Sequence, residues 1–342
     1  MRRLVLSSYK GNQLPTKIKS VKTFVMRTIT FLVSALMLSW SASAQQEQMY
    51  TQFMFNKLAF NPGYAGSFSS PTLTTVYRQQ WVGLEGAPSA QVLSYSQPFL
   101  NNRVGLGGTI MRQQIGISTN LTVDFAYAYR VKLKRGTFAF GLQVSTRNIR
   151  QNWADPRIVA LDQQDEGIPT EPKSKLLPNF GTGFYYVAYK DKWFVGLSAP
   201  RLVANSIDFA DFGTVFSREV QHINMMGGIT FKPNDMVQIT PQALFRYAAG
   251  APLDAEMNVS VLLRKKIHGG LTYRVGGDTK GWGESVDVML GLQVTDHLLF
   301  CLSYDVGMTS LRKFNDGSVE ATARWWFSPP DDVTEVGTNR PF

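Results

Sequence analysis

Leu121-Thr122-Val123-Asp124-Phe125-Ala126-Tyr127-Ala128-Tyr129-Arg130-Val131-Lys132-Leu133 alternates without a break. Every odd position is large and apolar or aromatic, and every even one is polar, charged or alanine. A strand sends successive side chains to opposite faces, so this segment has one greasy side and one side carrying charge. It exceeds the usual strand of a soluble sheet and suits a crossing tilted by about 45°, which takes roughly 9–11 residues. The pattern returns at Phe138, Phe140, Leu142 and Val144, at Val286, Val288, Leu290, Leu292 and Val294, and at Leu298, Phe300, Leu302, Tyr304 and Val306. Met289 and Leu299 are apolar exceptions on the polar side. A soluble antiparallel sheet has the same period, but two features favour a transmembrane antiparallel up-and-down β-barrel.

The first is that connections alternate in length. Short polar turns stand at 101–102, 134–136, 190–192, 233–235, 265–266 and 295–297, and longer loops at 81–89, 114–119, 149–178, 203–221, 250–253, 276–283 and 307–317. Short periplasmic turns and long outer loops are the habit of outer-membrane barrels, and the runs between them number about fourteen, an even count that puts both chain ends in the periplasm. The second is an export signal. Lys17, Lys19, Lys22 and Arg27 precede an apolar run over 29–40, and Ala42-Ser43-Ala44 supplies small residues for cleavage before Gln45. The n-region is long for a secretory leader, which makes Met26 a candidate start. The expected organisation is a cleaved leader over 1–44, an N-terminal periplasmic helix and turn over 45–68, a barrel over 69–327 and a polar tail over 328–342.

Removing the leader changes the meaning of the net charge. Of the 35 Lys and Arg against 25 acids, seven basic residues and no acid lie in residues 1–44, so the mature chain carries 28 against 25. No basic tail or phosphate loop supports a nucleic-acid partner. Gly105, Gly107 and Gly108 sit in a strand pattern with no helix after them, so they read as space for lumen side chains. The single cysteine, Cys301, falls on a polar strand face and permits no internal disulfide.

With the greasy faces toward outer-membrane lipid, parity sends Arg78, Asp124, Arg130, Lys132, Arg147, Arg246, Glu256, Arg264, Asp287, Asp305, Glu320 and Arg324 into the lumen. Confined charges of both signs pair, because an unpaired buried charge is expensive; a selectivity ring is the other reading, and no cluster of one sign favours it. Tyr and Trp near strand ends, among them Tyr77, Tyr129, Trp193, Tyr247, Trp325 and Trp326, suit interfacial girdles. Trp153 and Trp282 fall in outer loops.

Before the strands, Met49, Tyr50, Phe53, Met54 and Leu58 recur at helical spacing, and Asn61-Pro62-Gly63 stops the pattern. A short amphipathic helix there packs against its own barrel or contacts a periplasmic partner, the former being the plainer option. Catalysis needs a nucleophile beside a base, and the three histidines, His222, His268 and His297, fall on separate strands or turns and read as surface or girdle residues. Asp162, Asp165 and Glu166 lack the spacing and turn glycine of a calcium loop. The expectation is a barrel without cofactor, metal or catalytic residues.

The first mature stretch resembles a known family. Gln52-Phe53-Met54-Phe55-Asn56, Asn61-Pro62-Gly63-Tyr64-Ala65-Gly66-Ser67, Tyr77-Arg78-Gln79-Gln80-Trp81-Val82-Gly83 with Gly86-Ala87-Pro88, Val104-Gly105-Leu106-Gly107 and Asp124 to Arg130 are similar in order and spacing to the PorP/SprF outer-membrane proteins of the type IX secretion system of Bacteroidetes. Gly63 stands where that family usually has Ala, and a polar tail follows Phe327. The resemblance implies a non-enzymatic helper in secretion, gliding motility and surface anchoring of adhesins bearing a conserved C-terminal domain. It implies contact with the secretion or gliding machinery and docking of cargo on the outer loops, with Trp81, Gly83, Pro88, Trp153 and Trp282 as candidate contacts. A diffusion channel or solute transporter shares the same fold.

Overall fold

The computed structural model describes residues 50–158, 171–188, 190, 192–209, 217–276 and 283–328. The leader and its cleavage point, the tail from 329 on, the acidic stretch at 162–166 and Trp282 lie outside the described residues. Fifteen strand segments form one antiparallel sheet: β1 (Thr72–Gln79), β2 (Ser89–Phe99), β3 (Val104–Ile115), β4 (Ser118–Leu133), β5 (Gly136–Gln151), β6 (Lys173–Ala188), β7 (Trp193–Ala199), β8 (His222–Ile229), β9 (Phe231–Asn234), β10 (Val237–Ala248), β11 (Asp254–Leu263), β12 (Ile267–Val275), β13 (Ser285–Thr295), β14 (Leu298–Gly307) and β15 (Ser318–Trp326). Consecutive strands pair except β8 and β9, and β15 pairs with β1, from Thr72 opposite Trp326 to Gln79 opposite Val319, so the sheet closes. β8 and β9 both lie along β10 and are two pieces of one crossing. The result is a closed barrel of fourteen strands. Among the described residues no helix is long and apolar enough to cross a membrane.

The zigzag explains which way each strand faces. Leu121, Phe125, Tyr127, Tyr129, Val131 and Leu133 are exposed on the outside, while Thr122, Asp124, Ala126, Ala128 and Arg130 are buried within. Phe125 is 68% and Leu290 67% exposed, an apolar surface that water would not tolerate around a whole molecule and that lipid requires. Closure leaves no unpaired strand edge in the hydrocarbon, where an unsatisfied backbone group costs several kcal/mol.

Two outer connections and one residue of a short turn differ from expectation. The 149–178 loop is shorter, because β5 runs to Gln151 and β6 starts at Lys173, in register throughout from Gly136 opposite Ala188 to Gln151 opposite Lys173. Both strands continue past the greasy band as a polar ladder. Between β3 and β4 the expected loop is a two-residue turn with Gly116 at φ +53°, because Gln114 and Thr119 continue the pairing as register partners. Arg264, expected in the lumen, lies exposed in the β11–β12 turn with φ +49°. Its backbone N–H donates to the Met236 carbonyl at 2.6 Å, tying adjacent short turns together. Parity fails there because the strand has already ended. Lys132 is also exposed, at the inner end of β4.

The described chain before β1, from Tyr50 on, does not hang below the barrel. It fills it. Instead of one amphipathic helix, the described residues from Tyr50 on make three separate 3-10 turns, Phe53–Phe55, Lys57–Ala59 and Pro62–Tyr64. Tyr50, Phe53, Met54 and Leu58 are all buried, but so are Gln52, Phe55, Asn56, Lys57 and Phe60. An amphipathic helix needs a solvent face, and a segment walled in on every side has none.

Candidate functional site: a filled lumen under an outer vestibule

One arc of the inner wall is charged. Seven neighbouring strands contribute to one line of inward ionic side chains: Arg246 on β10, Glu256 on β11, Arg274 on β12, Asp287 on β13, Asp305 on β14, Glu320 on β15 and Arg78 on β1, with Asp254 on β11 and Arg324 on β15 also buried on this face. They form a continuous chain of pairs. Arg246 meets Glu256 at 3.0 Å, Arg274 reaches Glu256 at 3.9 Å, Asp287 at 3.3 Å and Asp305 at 3.5 Å, and Arg78 meets Asp305 at 2.5 Å and Glu320 at 3.1 Å. Three guanidinium groups face four carboxylates. The remaining negative charge is met by the plug itself, since Glu320 accepts the backbone N–H groups of Thr51 at 2.9 Å and Gln52 at 2.8 Å. Thr51 Oγ1 donates to Asp305 at 2.8 Å and accepts from Arg78 at 2.7 Å and Arg274 at 3.1 Å. Gln52 Nε2 adds bonds to Ser303 Oγ and the Glu320 carbonyl, each 3.1 Å. The charged arc is a clamp on the start of the plug.

The opposite arc holds the plug by closeness of backbone. A Cβ built on Gly105 would lie 2.0 Å from the Ala65 carbonyl oxygen, and one on Gly141 would lie 2.2 Å from the Gly63 nitrogen. Only glycine leaves room for that approach. Asn61 serves both the plug and the wall: its Oδ1 accepts from Gly63 N–H at 2.8 Å, and its Nδ2 donates to the Phe184 carbonyl of β6 at 2.9 Å. The Phe60 carbonyl takes Ser198 Oγ at 2.7 Å and Asn224 Nδ2 at 3.1 Å. Lys57 is fully buried with its ammonium 4.0 Å from the centre of the Phe194 ring; burying a cation over an aromatic face recovers part of its lost hydration.

The other residues read into the lumen divide by role. Arg130 donates to Ser67 Oγ at 2.8 Å, and Arg324 donates to Thr74 Oγ1 at 3.2 Å and to the Phe55 carbonyl. Both grip the plug or its surroundings instead of pairing with a carboxylate. Asp124 accepts from Ser145 Oγ at 2.5 Å. Arg147 meets Glu219 at 3.3 Å; this carboxylate, from the loop before β8, also accepts from Asn179 and Asn205.

The histidines are placed differently from expectation. His222 and His268 are buried on the lumen side, His222 bonded to the Val220 carbonyl and His268 edge-on to Phe55 at 5.9 Å. Their strand parity is inward; Phe55 of the plug covers His268, and His222 lies in the wall of the outer cavity. His297 stacks on Trp325 at the barrel's inner rim.

Above the plug the outer loops enclose a vestibule of about 690 Å³, with Arg78, Arg274 and Asp305 in its floor and Gln113, Arg147, Glu219 and His222 in its wall. Trp81 and Pro88 line it as well, Gly83 is exposed on the loop outside, and Trp153 is half-buried. Sequence reading missed Arg274, although inward parity was legible from Leu271 and Tyr273. It also missed Lys57 and Glu219, for which no periodic signal exists.

Solved structures that resemble this fold are outer-membrane proteins. The chain is 7% identical to Omp33 of Acinetobacter baumannii, with 77% of this chain and 100% of that one covered and a TM-score of 0.46. It is 10% identical to the monoaromatic hydrocarbon channel CymD, with coverage of 82% and 94% and a TM-score of 0.45. A FadL homologue of Pseudomonas aeruginosa is 12% identical, with coverage of 84% and 96% and a TM-score of 0.43. Likeness at this level says nothing about what this barrel does. No curated protein matches the chain. The family described as "Type IX secretion system membrane protein PorP/SprF" matches residues 42–325, taking in the plug and every strand of the barrel. Fold and family together indicate the outer membrane and a membrane component of secretion, and the chain belongs to the PorP/SprF family.

Proposed function

We propose that this chain is a sealed, non-enzymatic barrel that supports type IX secretion by docking the C-terminal domain of secreted cargo, adhesins among them, on its outer loops. The filled lumen is the observation that carries this reading. A diffusion channel needs a continuous aqueous path, and here Phe53, Met54 and Phe55 are at most 2% exposed in the middle of the barrel. What remains available to a partner is the outer end: the loop with Trp81, Gly83 and Pro88, the 152–158 segment with Trp153, and the polar ladder of β5 and β6. Aromatic residues on well-held loops suit recognition of a folded protein surface. Trp282 belongs to the same group of loops by sequence. The secretion machinery is the second partner, expected at the inner rim.

Replacement of the 81–88 loop by a short Gly/Ser turn tests this in cells lacking the native gene. The expected result is loss of surface display of a cargo protein bearing the C-terminal domain, with the barrel still present in the outer membrane. Normal display would overturn docking at that loop. A steady open conductance of the purified wild-type barrel in a planar bilayer would overturn the sealed-barrel reading in favour of a diffusion channel or transporter.

A further inference from the structure

The connections at the two ends of the barrel carry opposite charge. At the short-turn end, residues 100–103, 132–136, 190–192, 231–236, 264–266 and 295–297 hold ten lysines and arginines against three aspartates. The outer connections, over 81–88, 116–117, 152–172, 200–221, 249–253, 276–284 and 308–317, hold six against twelve acids. Two triads dominate the inner rim: Lys132, Lys134 and Arg135 at the β4–β5 turn, and Arg264, Lys265 and Lys266 at the β11–β12 turn, all exposed. With β8 and β9 taken as one crossing, six strands separate the triads one way round the sheet and eight the other. They therefore stand on nearly opposite sides of the barrel. Exposed apolar residues adjoin the basic ones along the chain: Leu133 precedes Lys134, Leu263 precedes Arg264, Ile267 follows Lys266 and Trp193 follows Lys192. A lysine or arginine in such a place lays its aliphatic stem on the greasy belt and carries its charge to headgroup depth. The β11–β12 turn also keeps its charge against local preference. Arg264 and Lys265 have φ of +49° and +56°, where glycine or asparagine is favoured, and the β2–β3 turn meets the same demand with Asn101 and Asn102, at +56° and +63°.

We propose that the inner rim, from the β2–β3 turn round to the β11–β12 turn, is a collar that binds the phosphate groups of anionic phospholipids in the inner leaflet. Headgroups encircle a barrel and meet both triads at once, whereas a single acidic protein facet would have to span the barrel to do so. The arc from β13 to β1 lacks the collar, because among the described residues its inner end carries Asp296 and His297 and no exposed lysine or arginine. Phosphates near Lys and Arg side chains at a membrane surface gain from each charge, and the gap in the ring gives the molecule its own internal control. The collar is independent of whether the lumen is sealed and of whether cargo docks.

Two exposed rim tryptophans report on the two sectors, Trp193 beside Lys192 and Trp325 stacked on His297. The purified barrel is reconstituted in bilayers that mix phosphatidylcholine with phosphatidylglycerol, and fluorescence quenching by the brominated form of each lipid is compared. In Trp325→Phe, where Trp193 is the exposed rim reporter, phosphatidylglycerol is expected to be preferred about fivefold, the ratio that about 1 kcal/mol from a single basic residue near the surface gives. In Trp193→Phe, the Trp325 signal should show no preference. Adding Lys190→Gln and Lys192→Gln to Trp325→Phe should bring the ratio close to one, with the heat-resistant folded band retained. Raised salt, which shortens the screening length, should do the same without those two substitutions. Inorganic phosphate at matched ionic strength should leave each ratio unchanged. Equal quenching by the two lipids at Trp193 would overturn the collar and leave the rim to an acidic protein surface. An equal preference at Trp325, a preference that survives the glutamine substitutions or raised salt, or its reversal by inorganic phosphate, which would mean that the turns take free anions, would each overturn it as well.

Discussion

The two arcs of the inner wall hold the same plug by opposite means. From β10 round to β1, seven ionic side chains bind the start of the plug through charge and directed hydrogen bonds. From β3 to β6, glycines bring two backbones together so closely that the fit is one of shape. The first arc is strong because it is dry: the side chains of Arg78, Arg274, Asp287 and Glu320 are at most 1% exposed, so solvent screening is slight. For the same reason it has no tolerance for a missing partner. The second arc relies mainly on shape, with Arg130 on β4 adding a bond to Ser67 of the plug, and fails when volume is added. One region is lost by subtraction and the other by addition.

Arg274→Met should produce the largest effect. It leaves Glu256, Asp287 and Asp305 without the guanidinium they share, and removing one partner of a buried ionic group costs about 3–5 kcal/mol. Loss of the heat-resistant folded band on gels at temperatures where the parent keeps it, with single-channel openings in bilayers, is the expected pair of readouts. A variant as stable and silent as the parent would mean that the ionic arc does not hold the plug.

Gly141→Val tests the other arc. Its Cβ would meet the nitrogen of Gly63 and the carbonyl carbon of Pro62, both main-chain atoms unable to swing aside. Overpacking of this kind costs about 1–3 kcal/mol, so a smaller drop in thermal resistance is expected, again with leakage through the lumen. Wild-type behaviour in both assays would show that the plug sits farther from the wall than the glycine fit requires.

Most of the fold was legible, and the reason is the period. Alternation needs only neighbouring residues, so Leu121 to Leu133 declares its two faces without knowledge of any partner, and strand number followed from the turns between such runs. Legibility ended where the plug began. Met289 and Leu299 read as exceptions on the lumen face because their partners, Met54 and Phe55, lie more than two hundred residues away. Gly105 and Gly107 read as space for side chains of neighbouring strands, whereas the plug takes it, with the Ala65 main chain at Gly105 and the Leu58 side chain at Gly107. Helical spacing through Tyr50, Phe53, Met54 and Leu58 was real but reflected burial on all sides, which periodicity cannot tell from a single apolar face. The resemblance motifs at 52–56, 61–67 and 104–107 now share one explanation, since they are the plug and part of its seat.

The smallest expected effect sharpens the comparison from outside. In the 152–158 segment Asp155 accepts from Arg157 Nε at 2.8 Å and Nη2 at 2.7 Å and from its backbone N–H at 3.0 Å. The Arg157 side chain, then its backbone N–H, holds the carboxyl below its ordinary value, to about 2. The pair thus resembles the lumen's in geometry and differs in medium, its side chains being 42% (Arg157) and 13% (Asp155) exposed. A depressed folded value means that any contribution is present above the unfolded carboxylate range and is lost as pH falls toward 2. Because the pair is solvated and screened, that contribution should reach only the loop. Asp155→Asn is therefore expected to leave the barrel's heat resistance and its electrical silence unchanged at neutral pH, while amide exchange at Arg157 accelerates. A loss of heat resistance equal to that of Gly141→Val would show that an ion pair's surroundings matter less in this protein than its geometry, and the contrast between wet and dry pairs would have to be abandoned.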